Sequence, residues 1–349
     1  MPSRWHHSSA IKHNIVVLDE CFPVYPRFDF DYSIKYYTST RPDQLPSRVK
    51  DATIIVTSDT RITREGILSA RKLQLVATNS TGTDSIDTTT LRELGIVLCN
   101  VPAQSTESVA EHALALYYGL RRNILEMHRL TMEGKAWNIV GKSQLRLQHT
   151  RTLPRTNAEE TLVVIGYGAL GRRVESLGEA LGMQTLIAER KAAPTIRPGR
   201  VPFLQCLKLG TVFIITAPLN ETTRGMMGEL EFAAMHPTSL LINVGRGGII
   251  NEDALVSALR QGHIGGAAVD VYEDEPATPP NSPLLDPSIP NLLLSPHIAW
   301  YSKRTIKNTL LTQKANLEGF VAGKLINVVI PPKANWLTEG RGQGQLSLR

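Results

Sequence analysis

The 349-residue chain has few cysteines, no long apolar run and no excess of acidic residues, and each scarcity excludes a class of protein. Its three cysteines, Cys21, Cys99 and Cys206, are odd in number and widely spaced. They argue against a disulfide framework, stand in no zinc-ligand spacing, and predict a reducing, cytoplasmic compartment. The longest apolar stretches, such as Gly210 to Ala217 and Leu292 to Leu294, are strand-sized. A membrane helix needs roughly 20 residues, so no membrane partner is expected. Residues 1–13 carry Arg4, three histidines and three serines but no apolar core of signal-peptide length. Internal repeats, a Walker loop and a nucleophile elbow are missing. The acidic run Glu273, Asp274, Glu275 has no histidine or second acidic cluster at ligand spacing, so no metal site is predicted.

What is present fits two domains, because a chain of this length exceeds one ordinary core and 42% hydrophobic content can fill two. Net charge is +6, from 38 Lys and Arg against 32 Asp and Glu. Between Arg121 and Arg155, eight basic residues face only Glu126 and Glu133, so 8 − 2 = 6 accounts for the whole surplus. A charge confined to one segment predicts a solvated or interface-forming arm rather than a nucleic-acid surface.

Short β-branched runs at Asn14 to Leu18, Ala52 to Thr57, Gln74 to Thr78 and Ile96 to Asn100 are separated by helical stretches at Thr63 to Ala70 and Thr88 to Leu94. That alternation predicts a parallel sheet covered on both faces. Glu107 to Glu133 reads as one long helix, capped at Ser105 or Thr106, and residues 142–157 as a linker or arm. A second series follows at Thr161 to Ile165, Thr185 to Ala188, Val212 to Thr216, Ser239 to Asn243, Gly266 to Val271 and Asn291 to Leu294. Six strands with helices between them match a dinucleotide-binding sheet. A last helix, from Ser302 to about Ala322, has no strand partner of its own and is expected to return to the first unit.

The Gly166-Tyr167-Gly168-Ala169-Leu170-Gly171 turn follows the strand LVVI and opens a helix over Arg172 to Leu181. In that setting its glycines permit a tight turn and close approach of a pyrophosphate to a helix N-terminus. An acidic residue for the adenosine ribose is expected about 20 positions on. Glu189 stands 189 − 171 = 18 positions after the last glycine. Arg190 and Lys191 beside it would attract a 2′-phosphate that Glu189 would repel, so NAD is favoured and NADP stays open. Arg246, between Gly245 and Gly247 after a strand, offers a planar fork for a carboxylate. His297 follows another strand, and Glu275 is its expected partner. A carboxylate bonded to imidazole favours the cation, which can give a proton to a carbonyl oxygen while hydride reaches the carbon. Asp270 is a candidate to orient the nicotinamide amide.

Six stretches together resemble the D-isomer-specific 2-hydroxyacid dehydrogenase family over about Ile54 to Val328: STGTDSID, NVPAQSTESVAEHAL, VVIGYGALG, INVGRGGIINEDAL, AAVDVYEDEP and SPHIAWYS. The resemblance implies two Rossmann-like or flavodoxin-like α/β domains with parallel sheets, the NAD(P)-binding one inserted into a split substrate domain. Residues 1–118 and 300–335 would form the substrate domain, residues 119–299 the cofactor domain with a dimerisation arm around 121–157, and residues 336–349 a flexible tail. It implies a homodimer, Arg246, Glu275 and His297 as catalytic residues, and substrate contacts at Thr81, Gly82, Arg246 and Trp300. Gly166, Gly168, Ala169, Leu170, Gly171, Glu189, Arg190, Ala217, Pro218, Thr223, Val244, Gly245 and Asp270 would hold the cofactor. Formate is disfavoured as a substrate, since family members acting on it carry glutamine where Glu275 stands. Ala299-Trp300-Tyr301 resembles the branch of the C-terminal binding proteins. The activity implied is NAD(P)H-dependent reduction of a 2-oxo acid such as glyoxylate or hydroxypyruvate to the D-2-hydroxy acid; the alternative is an NAD(H)-sensing corepressor-like binding protein. Two departures from the family pattern are the lack of an aspartate around Leu209-Gly210-Thr211 and an unusual sequence over 142–157.

Overall fold

The computed structural model describes residues 12–20, 24–134, 137 and 153–333. Cys21, most of the 142–157 segment and the tail from 334 lie outside the described residues. Among the described residues no helix is long and apolar enough to cross a membrane.

Two compact units divide the chain: the described residues up to Gln104 with those from Lys303 on, and Ser105–Ser302. In the first, β1 (His13–Val17), β2 (Tyr32–Tyr36), α1 (Leu45–Val49), β3 (Ile54–Thr57), α2 (Arg64–Ser69), β4 (Leu75–Thr78), α3 (Thr88–Leu94) and β5 (Val97–Cys99) follow in order. Strands β3, β4 and β5 are buried along their whole length. That is why they are continuous apolar runs rather than alternating ones, as a parallel sheet covered on both faces requires. Asp87 caps α3 by accepting from the Thr90 N–H, and Gly95 ends it in the left-handed conformation.

The second unit opens with α4 (Thr106–Arg121) and α5 (Ile124–Glu133). The single helix expected over 107–133 is therefore two. Asn123 takes a left-handed φ of 51° between them, a conformation asparagine tolerates better than most residues. The apolar spacing runs through the break unchanged, so periodicity alone does not reveal it. Strands β6 (Thr161–Ile165), β7 (Gln184–Ile187), β8 (Val212–Ile215), β9 (Leu240–Asn243), β10 (Gly266–Val269) and β11 (Leu292–Leu294) coincide with all six expected strands. Between them lie α6 (Ala169–Ala180), α7 (Phe203–Leu209), α8 (Glu229–Ala234) and α9 (Glu252–Gln261). The sheet order is β11-β10-β9-β8-β6-β7 and every pair is parallel. A bridge from Ala188 to Val201 adds one residue of further parallel pairing beyond β7.

The chain then returns to the first unit as α10 (Lys303–Val321) and β12 (Val328–Ile330). Leu317 and Phe320 of α10 join the buried cluster of Ile15, Val17, Ile54, Leu75 and Val97. The completed sheet runs β12-β5-β4-β3-β1-β2, parallel except for β12. Both sheets are thus open α/β sheets whose order reverses once, between β1 and β3 in one and between β6 and β8 in the other. Ligands of such sheets bind at the carboxyl ends of the strands near the reversal.

Candidate active site

Sheet order brings the candidate residues of the second unit together. Arg246 follows β9, Glu275 follows β10 and His297 follows β11, and these strands are neighbours. The glycine turn follows β6 and Ala217 follows β8, which pair across the reversal.

Gly166 has φ +95°, and a Cβ there would lie 2.5 Å from the Ala217 nitrogen, so the turn needs glycine. A Cβ on Gly168 would meet nothing within 4 Å, so the start of α6 faces open space. Ala169 and Leu170 form its first residues, and Gly171 is buried beneath the Gly166 carbonyl. A helix N-terminus opening on free space at a sheet reversal fits a pyrophosphate. Thr223 donates to the Pro218 carbonyl at 2.7 Å and accepts from the Asn220 N–H at 2.8 Å, which closes the loop after Ala217. Val244 and Gly245 are buried, and Gly245 donates to Asn243 Oδ1 at 3.1 Å.

Glu189 lies just past β7 and is 2% exposed. Its carboxylate accepts from Arg197 Nη2 at 2.5 Å, Arg197 Nε at 2.8 Å, the Arg190 N–H at 2.8 Å and the Arg197 N–H at 3.1 Å. The Arg197 guanidinium, and the two backbone donors after it, hold the Glu189 carboxyl far below the usual carboxylate range. Lys191 turns away to Glu231 Oε1 at 2.8 Å. Seven residues without periodicity separate Arg197 from Glu189, so nothing in the sequence marks the pairing. Replacing Glu189 with Ser removes the carboxylate partner of that guanidinium, and a cofactor 2′-phosphate could then take its place. The ratio of NADPH to NADH catalytic efficiency is expected to rise about tenfold or more, the scale of one charged hydrogen bond. An unchanged ratio in initial-rate kinetics would remove Glu189 from the ribose site.

Arg246 is half-buried, with Nη1 donating to the Gly245 carbonyl at 2.8 Å. Asn243 Nδ2 holds the Arg246 carbonyl at 2.9 Å. Beside it, a Cβ on Gly247 would lie 1.6 Å from the Tyr272 carbonyl oxygen, so only glycine lets this loop approach the one that carries Glu275. Glu275 Oε1 accepts from the Tyr272 N–H at 2.9 Å, and Oε2 lies 2.6 Å from His297 Nδ1. Buried Glu252 braces the same loop, accepting from the Glu273 N–H at 2.9 Å and the Ser282 hydroxyl at 2.6 Å. Burial alone would push the Glu275 carboxyl up, but the His297 bond and charge, the Tyr272 N–H and the Arg246 charge hold it below its ordinary value. Burial likewise opposes the His297 cation, and the Glu275 hydrogen bond and charge outweigh it, so the imidazole sits above its ordinary 6.5. Glu275 and His297 thus meet in one hydrogen bond, with the Arg246 charge bearing on both.

Asp270 accepts from the backbone N–H groups of Ile298 and Ala299, each at 3.0 Å. Trp300 donates its indole N–H to the His297 carbonyl at 2.9 Å. In the first unit, the Thr81 hydroxyl donates to the Val101 carbonyl at 2.9 Å, the Thr81 carbonyl accepts from Asn100, and the Gly82 carbonyl accepts from the Ser80 hydroxyl. Asp19, not singled out from the sequence, gathers the Ser58, Asp59 and Thr60 N–H groups at the reversal of that sheet.

The fold and this arrangement define a nicotinamide-dinucleotide oxidoreductase of the open α/β type. Residues 114–299 match the NAD-binding domain of D-isomer specific 2-hydroxyacid dehydrogenases. A glycerate dehydrogenase of Methylorubrum extorquens is 34% identical over 303 residues, covering 86% of this chain and 93% of that protein. A glyoxylate reductase of Aeropyrum pernix is 31% identical, covering 84% of this chain and 88% of its own length. Among solved structures, D-lactate dehydrogenase from Aquifex aeolicus, complexed with NAD and lactic acid, superposes with a TM-score of 0.73 at 28% identity, over 86% of this chain and 93% of that one. The chain belongs to the D-isomer-specific 2-hydroxyacid dehydrogenase family.

Proposed function

We propose that the protein reduces a 2-oxo acid of the glyoxylate or hydroxypyruvate kind to the D-2-hydroxy acid, with Arg246, Glu275 and His297 as its catalytic residues. The observation that carries this is the 2.6 Å His297–Glu275 pair with the Arg246 charge bearing on both. Bound NADH or NADPH supplies the hydride. The remaining work falls to side chains of this chain. Arg246 takes the substrate carboxylate in its fork, which orients the 2-oxo group. His297, held protonated by Glu275, gives its Nε2 proton to the carbonyl oxygen as that oxygen gains charge. Trp300, tied to the His297 carbonyl, is assigned to the substrate side chain. The split-domain arrangement and a homodimer belong to the same proposal. Ile124, Leu125 and Met132 stand exposed on α5, where a second copy would cover them. A cytoplasmic site of action belongs to the same proposal.

The test is oxidation of NADH and of NADPH against a panel of glyoxylate, hydroxypyruvate, pyruvate, phenylpyruvate and 4-methyl-2-oxopentanoate. Turnover of at least one is expected, and none with NADH still bound would sink the proposal. The pH profile adds a signed expectation. The proton donor in reduction is the imidazolium, so kcat/KM should be level below the raised His297 pKa and fall above it, while oxidation of the hydroxy acid shows the mirror image. In Glu275→Gln the breakpoint should move down toward or below 6.5, because the group that raises it is gone and burial remains. A breakpoint that stays put would separate Glu275 from the acid.

A further inference from the structure

The turn that presents His297 is held by a partly buried network, centred on one buried carboxylate, outside the three proposed catalytic side chains. His297 itself has a φ of +50°, in the left-handed region. Such a conformation persists in a histidine only when its surroundings hold it. The holder here is Asp270, which is 1% exposed. Its carbonyl accepts from the His297 N–H at 2.7 Å, while its carboxylate takes the N–H groups of Ile298 and Ala299. Three successive backbone donors of the turn thus end on one residue.

The Asp270 carboxylate is oriented in its turn. Ser295 donates its hydroxyl to Oδ1 at 2.6 Å, and His112 Nε2 lies 3.1 Å from the Ser295 oxygen and 3.6 Å from Asp270 Oδ1. A hydroxyl has one proton, and this one is committed to Asp270. Ser295 therefore accepts from His112, which fixes the proton on His112 Nε2. His112 comes from α4, so a helix packed on the sheet is linked through Ser295 and Asp270 to the acid–base turn.

We propose that Ser295 and His112 are positioning residues: they orient Asp270, and Asp270 fixes the turn from which His297 meets Glu275 and the substrate. The inference rests on the reductase proposal for its kinetic arm and has a second arm that does not.

The experiment compares Ser295→Ala with Ser295→Thr, and His112→Leu with His112→Gln, in the full chain. The first readout is the imidazole titration of His297 by NMR without substrate, its resonance identified by its loss in His297→Asn. Glu275, Arg246 and Asp270 are the charged groups that act on that imidazole. Ser295→Ala and His112→Leu should lower the titration midpoint toward 6.5 as the Glu275 contact loosens, and lower kcat about tenfold, with KM for NADH kept within about twofold. Ser295→Thr keeps the hydroxyl and His112→Gln keeps an N–H donor, so both should restore midpoint and kcat. Wild-type midpoint and kcat in Ser295→Ala would overturn the proposal. So would a Ser295→Thr variant as impaired as Ser295→Ala, or a loss of NADH binding in step with kcat, which would assign Asp270 to the cofactor instead. A midpoint that moves as expected in a protein that reduces no 2-oxo acid supports the positioning role and refutes the reductase proposal alone.

Discussion

His297→Asn is expected to cut turnover of the preferred 2-oxo acid by about 10³-fold while the affinity for NADH stays within about twofold, the former being the usual contribution of a general acid. Asparagine is the informative replacement. It tolerates the left-handed φ that His297 adopts, so the Asp270-held turn survives. Its amide can still reach Glu275, and it occupies less volume than imidazole, so the site is not overpacked. What it cannot do is release a proton near neutral pH, and that is the property under test. Saturating initial rates give kcat, and quenching of protein fluorescence by NADH gives the affinity. A variant with kcat within about tenfold of the parent would move the proton donor elsewhere. The pH limb assigned to His297 should vanish with it, so two independent observables have to agree.

Much of this site is legible in the chain because its residues sit where a strand ends and a loop begins. All six strands of the second sheet are short apolar runs bounded by turns, and the glycine turn announces itself by following one. Arg246, Glu275 and His297 are found by chemistry and position together, since each follows a strand of the same series. What stays hidden depends on contacts between loops of unrelated spacing. Arg197 reaches back to Glu189 across a loop, Glu252 reaches from α9 to the Glu275 loop, and His112 reaches from α4 to Ser295. None of these pairs has a period or a motif to mark it. The first sheet is less legible at its edges. Strand β2 is a half-exposed YSIKY edge without a β-branched run, and β12 pairs antiparallel after a long helix, so neither looks like the buried strands between them. The break at Asn123 is hidden for the opposite reason, because the apolar spacing on either side matches one continuous helix.

Arg246→Lys keeps the charge and removes the fork, and it is expected to lower kcat/KM for the 2-oxo acid by at least about 100-fold. That corresponds to about 3 kcal/mol for a charge-assisted bidentate contact. One guanidinium nitrogen already holds the Gly245 carbonyl, and a planar group with five donors in a fixed fork can keep such a contact and still grip a carboxylate. An ammonium is a single point with three donors, so holding Gly245 and gripping both carboxylate oxygens compete. The loss should appear in KM and in kcat, because a substrate held by one contact also misplaces its 2-oxo group relative to His297. Unchanged kinetics with Lys would strip Arg246 of its assignment. Arg246→Gln separates charge from geometry. The Arg246 cation opposes the His297 cation, so removing it should carry the His297 breakpoint to higher pH, whereas Lys should leave that breakpoint in place. A breakpoint that shifts equally in both variants would mean that the turn has moved, and the kinetic loss would then no longer report on substrate binding.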